Sequence, residues 1–365
     1  MFRSVSIEGY RGFAQFQMHD LGRVNLLVGR NNSGKTTVLE ALYLLGTGGD
    51  PAGLWGNCIR RGEIFRDQRF PESRLEADVS HLFHGHDLTV NSGISVTPDA
   101  DKGEGLSIRV DERGSRPRDE DFAVEATEAP PVGSRLSLSI RAANAGRIVN
   151  LSARGGLEFD VTVMFSQMAR PREAKSIRLV QFVSTQGVST ADLVRLWDEV
   201  QLNGDEGLVV AMLKAIDPAI EDIRSLASAA TAGPREGFVV RCANESRRLP
   251  LGSLGDGVWR MLTLAVVLAR CKGGMLLVDE IDTGLHHTVM ADMWRLVYDA
   301  AERLDIQVFA TTHSEDCVYS LASICRDDEN ASDVTIQRIE AGRTQSIAYS
   351  EAEIRAAAEH RIEVR

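Results

Sequence analysis

Residues Gly29 to Thr36 read Gly-Arg-Asn-Asn-Ser-Gly-Lys-Thr, the pattern G-x-x-x-x-G-K-[ST]. The run before it, Val24-Asn25-Leu26-Leu27-Val28, is apolar and β-branched as in a buried strand, and the run from Thr37 to Leu45 carries apolar residues at helical spacing. Strand, glycine turn and helix in that order leave few choices, because together they form the opening unit of a nucleotide-binding α/β fold. Gly29 and Gly34 let the backbone turn tightly, so that N–H groups along Arg30, Asn31, Asn32 and Ser33 face phosphate oxygens. Lys35 is expected to reach the β- and γ-phosphates and the Thr36 hydroxyl to ligate Mg²⁺. Thr37 then continues a helix whose N-terminus adds partial positive charge.

Three later segments read as the rest of such a site. Met275-Leu276-Leu277-Val278-Asp279-Glu280 is an apolar strand ending in two acids. Such a strand often ends in nothing more than a solvated turn. Beside a phosphate loop, however, Asp279 can hold Mg²⁺ through water, and Glu280 can orient or deprotonate the attacking water. Val308-Phe309-Ala310 leads into Thr311-Thr312-His313-Ser314. Here Ser314 can cap the next helix while His313 points at a γ-phosphate or at water. Leu251 to Arg260 is a glycine-rich turn (Ser253, Gly255, Asp256, Gly257) opening an apolar helix, and so a second anion site at a helix N-terminus. One nucleotide does not need two such turns in one chain. A dimer does, if the second turn closes on the partner's nucleotide.

The phosphate loop lies near residue 30 and the next buried strand–helix units lie beyond 250. The fold class expected is α/β, a P-loop NTPase with a mixed-sheet core closed across insertions. Residues 1–50 and 235–365 are assigned to the core, 51–189 to an antiparallel β-rich lobe and 190–234 to a helical insertion. Within the lobe, a helix is expected near Ser73–Phe83. Short strands are expected at Leu88–Val90, Leu106–Val110, Phe122–Val124, Leu136–Ile140, Ile148–Leu151 and Phe159–Val163, with a loop at Asp111–Asp121. Pro218 is expected to start a third helix after the stripes at Leu193–Val200 and Leu208–Ile216. Strands Phe238–Cys242, Ile306–Ala310, Val334–Ile339 and Gln345–Ala348 and a helix at Leu254–Arg270 complete the core.

A net charge of −11 over 365 residues excludes a globally basic nucleic-acid binder, though not a local basic face. Five scattered cysteines without a C-x-x-C pair read as reduced thiols. With neither a signal peptide nor an apolar run long enough for a bilayer, the expectation is a cytoplasmic protein without membrane contact.

The order of phosphate loop, glycine-rich turn before a helix, hydrophobic-Asp-Glu and Thr-Thr-His-Ser resembles the ABC-type ATPases. Within them it is similar to the RecF/SMC branch and, more closely, to the OLD-like ATPases. Ile7-Glu8-Gly9-Tyr10-Arg11-Gly12-Phe13 is similar to the head-domain opening of that branch. In Asp279-Glu280-Ile281-Asp282-Thr283-Gly284-Leu285-His286-His287, Leu-His stands where transporter ATPases have Leu-Asp. The resemblance implies ATP and Mg²⁺ as cofactors, with Lys35 and Thr36 on phosphate and metal. It makes Glu280 the catalytic base and His313 the switch histidine. Ser253–Gly257 would be a signature acting in trans, and His286 would lie in the inter-subunit loop. The usual Ser-Gly-Gly is here Gly-Asp-Gly, which leaves the serine's role open between Asp256 and Ser253. Gln186 is the candidate for the glutamine loop on the metal, Gln181 lying inside a strand. Tyr10, Arg11 and Phe13 face a choice between adenine contact and edge-strand packing, and packing is favoured.

About 50 residues follow Ser314, too few for the Toprim nuclease domain of OLD-like nucleases, and there is no long heptad arm. The resemblance therefore implies a stand-alone ATPase that forms an ATP-dependent dimer or larger homo-oligomer. It would control a separate effector such as a Toprim-type nuclease in anti-phage defence, with DNA as the signal. A RecF-like DNA-repair clamp and a nucleotide-gated scaffold with negligible turnover are the alternatives.

Overall fold

The computed structural model describes residues 1–65, 74–98, 105–113, 124–126, 135–143, 145–160, 179–226, 237–327 and 333–360. The chain opens with β1 (Val5–Tyr10), β2 (Phe13–Met18) and β3 (Val24–Val28), then α1 (Lys35–Gly46) and α2 (Pro51–Arg61). Strands β4 (Ile64–Phe65), β5 (Arg74–Ala77), β6 (Gly93–Pro98), β7 (Leu106–Glu112), β8 (Val124–Ala126) and β9 (Leu136–Ala142) follow. Next come β10 (Ala145–Asn150), β11 (Leu157–Asp160), β12 (Val180–Val183), α3 (Thr190–Asn203) and α4 (Glu206–Ile216). After β13 (Ile220–Ser225), β14 (Phe238–Cys242) and β15 (Leu249–Pro250) come α5 (Asp256–Arg270), β16 (Met275–Val278) and α6 (His287–Arg303). The chain continues through β17 (Gln307–Thr311), α7 (Glu315–Asp327), β18 (Val334–Arg338), β19 (Ile347–Tyr349) and α8 (Glu351–His360).

The core sheet runs β12-β16-β17-β3-β18-β19, parallel except for the antiparallel β18–β19 pair. Parallel strands buried on both faces read as continuous apolar runs, which explains why Val24–Val28 and Met275–Val278 were legible without alternation. Leu26, Leu276 and Val308 face a core shared with α3 to α7. Leu27, Leu277 and Phe309 face α1 and the β lobe. The acidic strand β16 is separated from β3 by β17, so three carboxyl ends stand side by side, the usual place for a ligand in an open α/β sheet.

The lobe's large sheet runs β2-β1-β6-β7-β9-β10-β8 and is antiparallel apart from β10–β8. Smaller sheets are β11-β5-β4 and β13-β14-β15. The lobes interleave along the chain: β1 and β2 precede the phosphate loop yet join the lobe sheet, while β12 joins the core sheet.

Helix α1 is held between core sheet and lobe by a buried ion-pair network. Arg11 pairs with Glu40 of α1 at 2.8 Å and with Glu63 at 2.6 Å, and Arg11 and Glu40 are 7% and 2% exposed. Tyr10 Oη accepts from Asn57 Nδ2 at 3.1 Å in the same interior. Removing one member of a buried pair leaves the other uncompensated. Arg11→Met is therefore expected to cost about 3 kcal/mol of folding stability. A urea transition at the wild-type midpoint would count against the network as a structural clasp.

Several expectations need correction. In place of a helix at Ser73–Phe83 there is β5 followed by a 3₁₀ turn at Val79–Leu82, capped by Asp78, whose Oδ1 accepts from the Ser80 amide. Pairing of β5 with both β4 and β11 outweighs the local helical spacing. The segment after Pro218 is β13, not a helix; its buried Ile220 and Ile223 sit three apart because a bulge at Ile220/Asp222 breaks the two-residue alternation. Leu88–Val90 is not a strand; the strand begins at Gly93. Helix α2 went unread, although Asp50 as N-cap, Pro51 at its start and Gly62 beyond its end are ordinary helix punctuation. The expected strands at Phe122–Val124 and Phe159–Val163 and the loop at Asp111–Asp121 lie partly outside the described residues.

Candidate nucleotide site

The phosphate loop needs conformations that few side chains tolerate. Gly29 and Gly34 have φ of 139° and 105°, and Asn32 has φ of 61°. A Cβ on Gly29 would strike the Ile339 carbonyl, and one on Gly34 would strike the Phe13 ring. Phe13 stacks on Phe16 with centroids 4.4 Å apart and packs against the loop at Gly34, while Tyr10 is fully buried beside Asn57, so both act in packing. Gly34→Ala should weaken folding by about 2 kcal/mol, from positive φ and overpacking together, and lower nucleotide affinity. Wild-type melting together with wild-type affinity would contradict this.

Lys35 Nζ donates to Gly29 O at 2.8 Å and to Arg30 O at 2.9 Å, and lies 3.4 Å from His313 Nδ1. Burial pulls its pKa below the ordinary lysine value, while Asp279 and Glu280 act in the opposite direction. Its ammonium thus sits inside the loop at the height of the strand ends. Arg30, Asn31 and Asn32 are exposed, whereas Ser33 Oγ is buried and meets no hydrogen-bond partner among the described residues.

Thr36 Oγ1 lies 3.1 and 3.2 Å from the two Asp279 carboxylate oxygens. A hydroxyl and a carboxylate converging at the β3 and β16 ends are the hard oxygen donors that Mg²⁺ takes, and they fit it. Thr37 is buried one residue further on, 3.4 Å from an Arg61 guanidinium nitrogen.

Glu280 has φ of 47°, a left-handed conformation that costs a non-glycine residue about 1 to 2 kcal/mol. Its N–H donates to Thr311 Oγ1 at 2.8 Å, and Thr311 Oγ1 donates in turn to Asp279 Oδ1 at 2.7 Å. The Glu280 carboxylate accepts from Thr283 Oγ1 at 3.3 Å and lies 3.8 Å from His313 Nε2. Both side chains are about two-fifths open, at 41% and 39%. Thr312 Oγ1 donates to Asp282 Oδ1 at 2.6 Å, and Ser314 Oγ accepts from the Cys317 amide. Capping by Ser314 and placement of His313 in the site therefore coexist.

The structure thus brings Lys35, Thr36, Asp279, Glu280 and His313 together. A cavity of about 1100 Å³ opens from the loop and His313 toward Arg338–Ala341. Arg338 and Glu340, ion-paired at 2.8 Å, carried no sequence signal beyond standing at the end of a strand adjoining β3. Thr311, Thr312 and Arg260 were also missed as individuals; the first two were visible only as part of a strand end.

Ser253, Gly255, Asp256 and Gly257 lie elsewhere, at the N-terminus of α5. Gly255 has φ of 96°, Ser253 Oγ donates to Pro250 O at 2.7 Å, and Gly257 packs against the Gly284 carbonyl. His286 caps α6, its Nδ1 3.0 Å from Thr288 Oγ1. The glycine turn and the 283–286 turn therefore share one largely exposed face. Gln186 is exposed on the Ser184–Gly187 turn after β12, and among the described residues no hydrogen bond joins it to Thr36 or Asp279.

Two family models match at the two halves of this site. Residues 1–67 match a model described as "AAA ATPase domain", and residues 193–316 match one described as "AAA domain, putative AbiEii toxin, Type IV TA system". Both models describe AAA-type domains, and the phosphate loop set in a parallel core sheet is that of a P-loop ATPase. An "ATP/GTP phosphatase" of Helicobacter pylori is 21% identical over 91% of this chain and 90% of that protein. A "DNA replication and repair protein RecF" of Shewanella woodyi is 50% identical over 44 residues, 12% of each chain. The SMC head domain from Thermotoga maritima overlays with a TM-score of 0.43 at 12% identity, over 96% of this chain and 98% of that one. An SMC head bound to the C-winged helix domain of ScpA overlays with a TM-score of 0.46 at 13% identity, over 96% and 97%. Among the described residues, no helix is long and apolar enough to cross a membrane.

Proposed function

We propose that this P-loop ATPase is a switch that closes as a dimer around ATP, hydrolyses it and controls a separate effector. One observation carries the reading: Lys35, Thr36, Asp279, Glu280 and His313 converge at three adjacent strand ends, while a second glycine turn opens on another, exposed face. Lys35 would leave the Gly29 and Arg30 carbonyls for the phosphates of the nucleotide. Thr36 and Asp279 would hold Mg²⁺, which neutralises developing phosphate charge when bound. Glu280 would take the proton of the attacking water, with His313 beside it fixing the γ-phosphate end. Ser253–Gly257 and His286 would meet the partner's nucleotide. Glu280→Gln is the deciding variant, measured as ATP turnover and ATP-dependent mass.

Within that reading we assign the chain to the OLD-like side of the RecF/SMC branch, with 1–50 and 235–365 as the working core apart from β1 and β2, which join the lobe sheet, and with β12 added to it. A Toprim-type nuclease effector and a role in phage defence follow from that resemblance. The RecF match over 44 residues supports a second reading, a clamp that binds duplex DNA directly. The two separate by DNA affinity of the purified chain: a clamp binds with a steep salt slope, whereas an effector switch does not need to.

A further inference from the structure

Along α5 the buried residues are aliphatic, Met or Thr, with one exception, Arg260. Its side chain is 7% exposed. Burial pulls the guanidinium below its ordinary pKa, and the charges of Asp282, Asp279 and Glu280 only oppose this. Among the described residues, no carboxylate forms an ion pair with it. A buried cation without an ion-pair partner is costly unless its donors are used. Both Nη groups are used on backbone: Nη1 donates to Ser184 O at 3.1 Å, and Nη2 to Asp279 O at 3.1 Å and Glu280 O at 2.8 Å, while the buried Nε meets no partner among the described residues.

Those carbonyls stand where β12 and β16 run out of ladder partners. The Glu280 residue is thereby held on both sides in its strained conformation, its N–H by Thr311 and its C=O by Arg260. Arg260 is also one helical turn beyond Asp256, in the helix whose N-terminus is capped by the exposed Gly255.

We propose that Arg260 is a positioning residue that ties the exposed glycine turn of α5 to the backbone of Glu280 and to the Ser184–Gly187 turn. A contact made at the α5 N-terminus is passed through one rigid fork to the carboxylate at the chain's own nucleotide site. The kinetic part of this rests on the ATPase reading above; the structural link does not. The described bonds of Arg260 all go to backbone carbonyls, so its effect on the reaction passes through the Glu280 backbone.

The test uses the full chain carrying Arg260→Gln. Amide hydrogen exchange is followed by mass spectrometry in peptides covering 184–188 and 279–286, with 35–46 as internal reference. Exchange in the first two segments should rise at least about tenfold while the reference is unchanged. Nucleotide Kd and KM should stay within about threefold as kcat falls at least about tenfold, the signature of a group felt only in the reacting state. Wild-type exchange in both segments, or a wild-type kcat, overturns the proposal. Should wild-type protein show no turnover, hydrolysis falls and the exchange arm still decides the link. Should Arg260→Gln not fold, Arg260→Lys replaces it. One ammonium cannot span three carbonyls, so unchanged exchange there also overturns the link.

Discussion

Replacing Lys35 by Ala is expected to weaken nucleotide binding by more than a hundredfold. The ammonium is the only cation aimed into the bend of the loop among the described residues there, and its side chain is buried, which holds its pKa below the ordinary lysine value. Charge-assisted bonds to phosphate in such a site are worth about 3 kcal/mol, and a phosphate left without its cation loses that in full. Lys35 also donates to the Gly29 and Arg30 carbonyls, so the variant's fold is checked first by circular dichroism. Titration calorimetry with ADP and with a non-hydrolysable ATP analogue then measures Kd. Wild-type affinity in a folded variant would remove the loop from the nucleotide site altogether.

Glu280→Gln should act in the opposite way, sparing binding and removing chemistry. The amide is isosteric and still accepts from Thr283 Oγ1, and the backbone bonds to Thr311 and Arg260 do not involve the side chain. What is lost is a group able to take a proton 3.8 Å from His313 Nε2. General-base catalysis contributes about 10² to 10⁴ in rate, so kcat should fall by at least about a hundredfold with Kd within threefold. Light scattering should then show a mass that doubles or grows further with ATP and persists. Undiminished turnover would strip Glu280 of the role of base. Lost turnover without any change of mass would leave hydrolysis standing and sink the dimer.

The parts of the site that follow from local chemistry were legible in the chain itself. The phosphate loop, the acidic end of β16 and Thr311–Ser314 each join a short apolar run to a few polar residues, and parallel pairing set them side by side. What stayed hidden depends on pairing over long distances. Arg260 reads as a stray charge in an apolar helix, because nothing nearby announces carbonyls from β12 and β16. Arg338 and Glu340 gain meaning only once β18 is placed against β3. The region after Pro218 misled because a bulge imitates helical spacing. Ser73–Phe83 misled because its strand is made by partners at Ile64 and Leu157, not by its own propensity.

The central strand β3 has a further consequence for how the protein is made. Its neighbours β17 and β18 both come from the far side of the sequence; Asn25 bonds to Val308, 283 positions away. On a ribosome adding roughly 5 to 20 residues per second, β3 waits tens of seconds for either partner. Contacts of such separation also fold slowly once available. During that interval Leu26, Leu27 and Val28 lack the two strands that pair with them and the Ile339 backbone that backs the phosphate loop. The nascent chain is thus most exposed to aggregation and to chaperones well before it can bind nucleotide, and binding competence arrives late, in one step, as β17 and β18 enter the sheet.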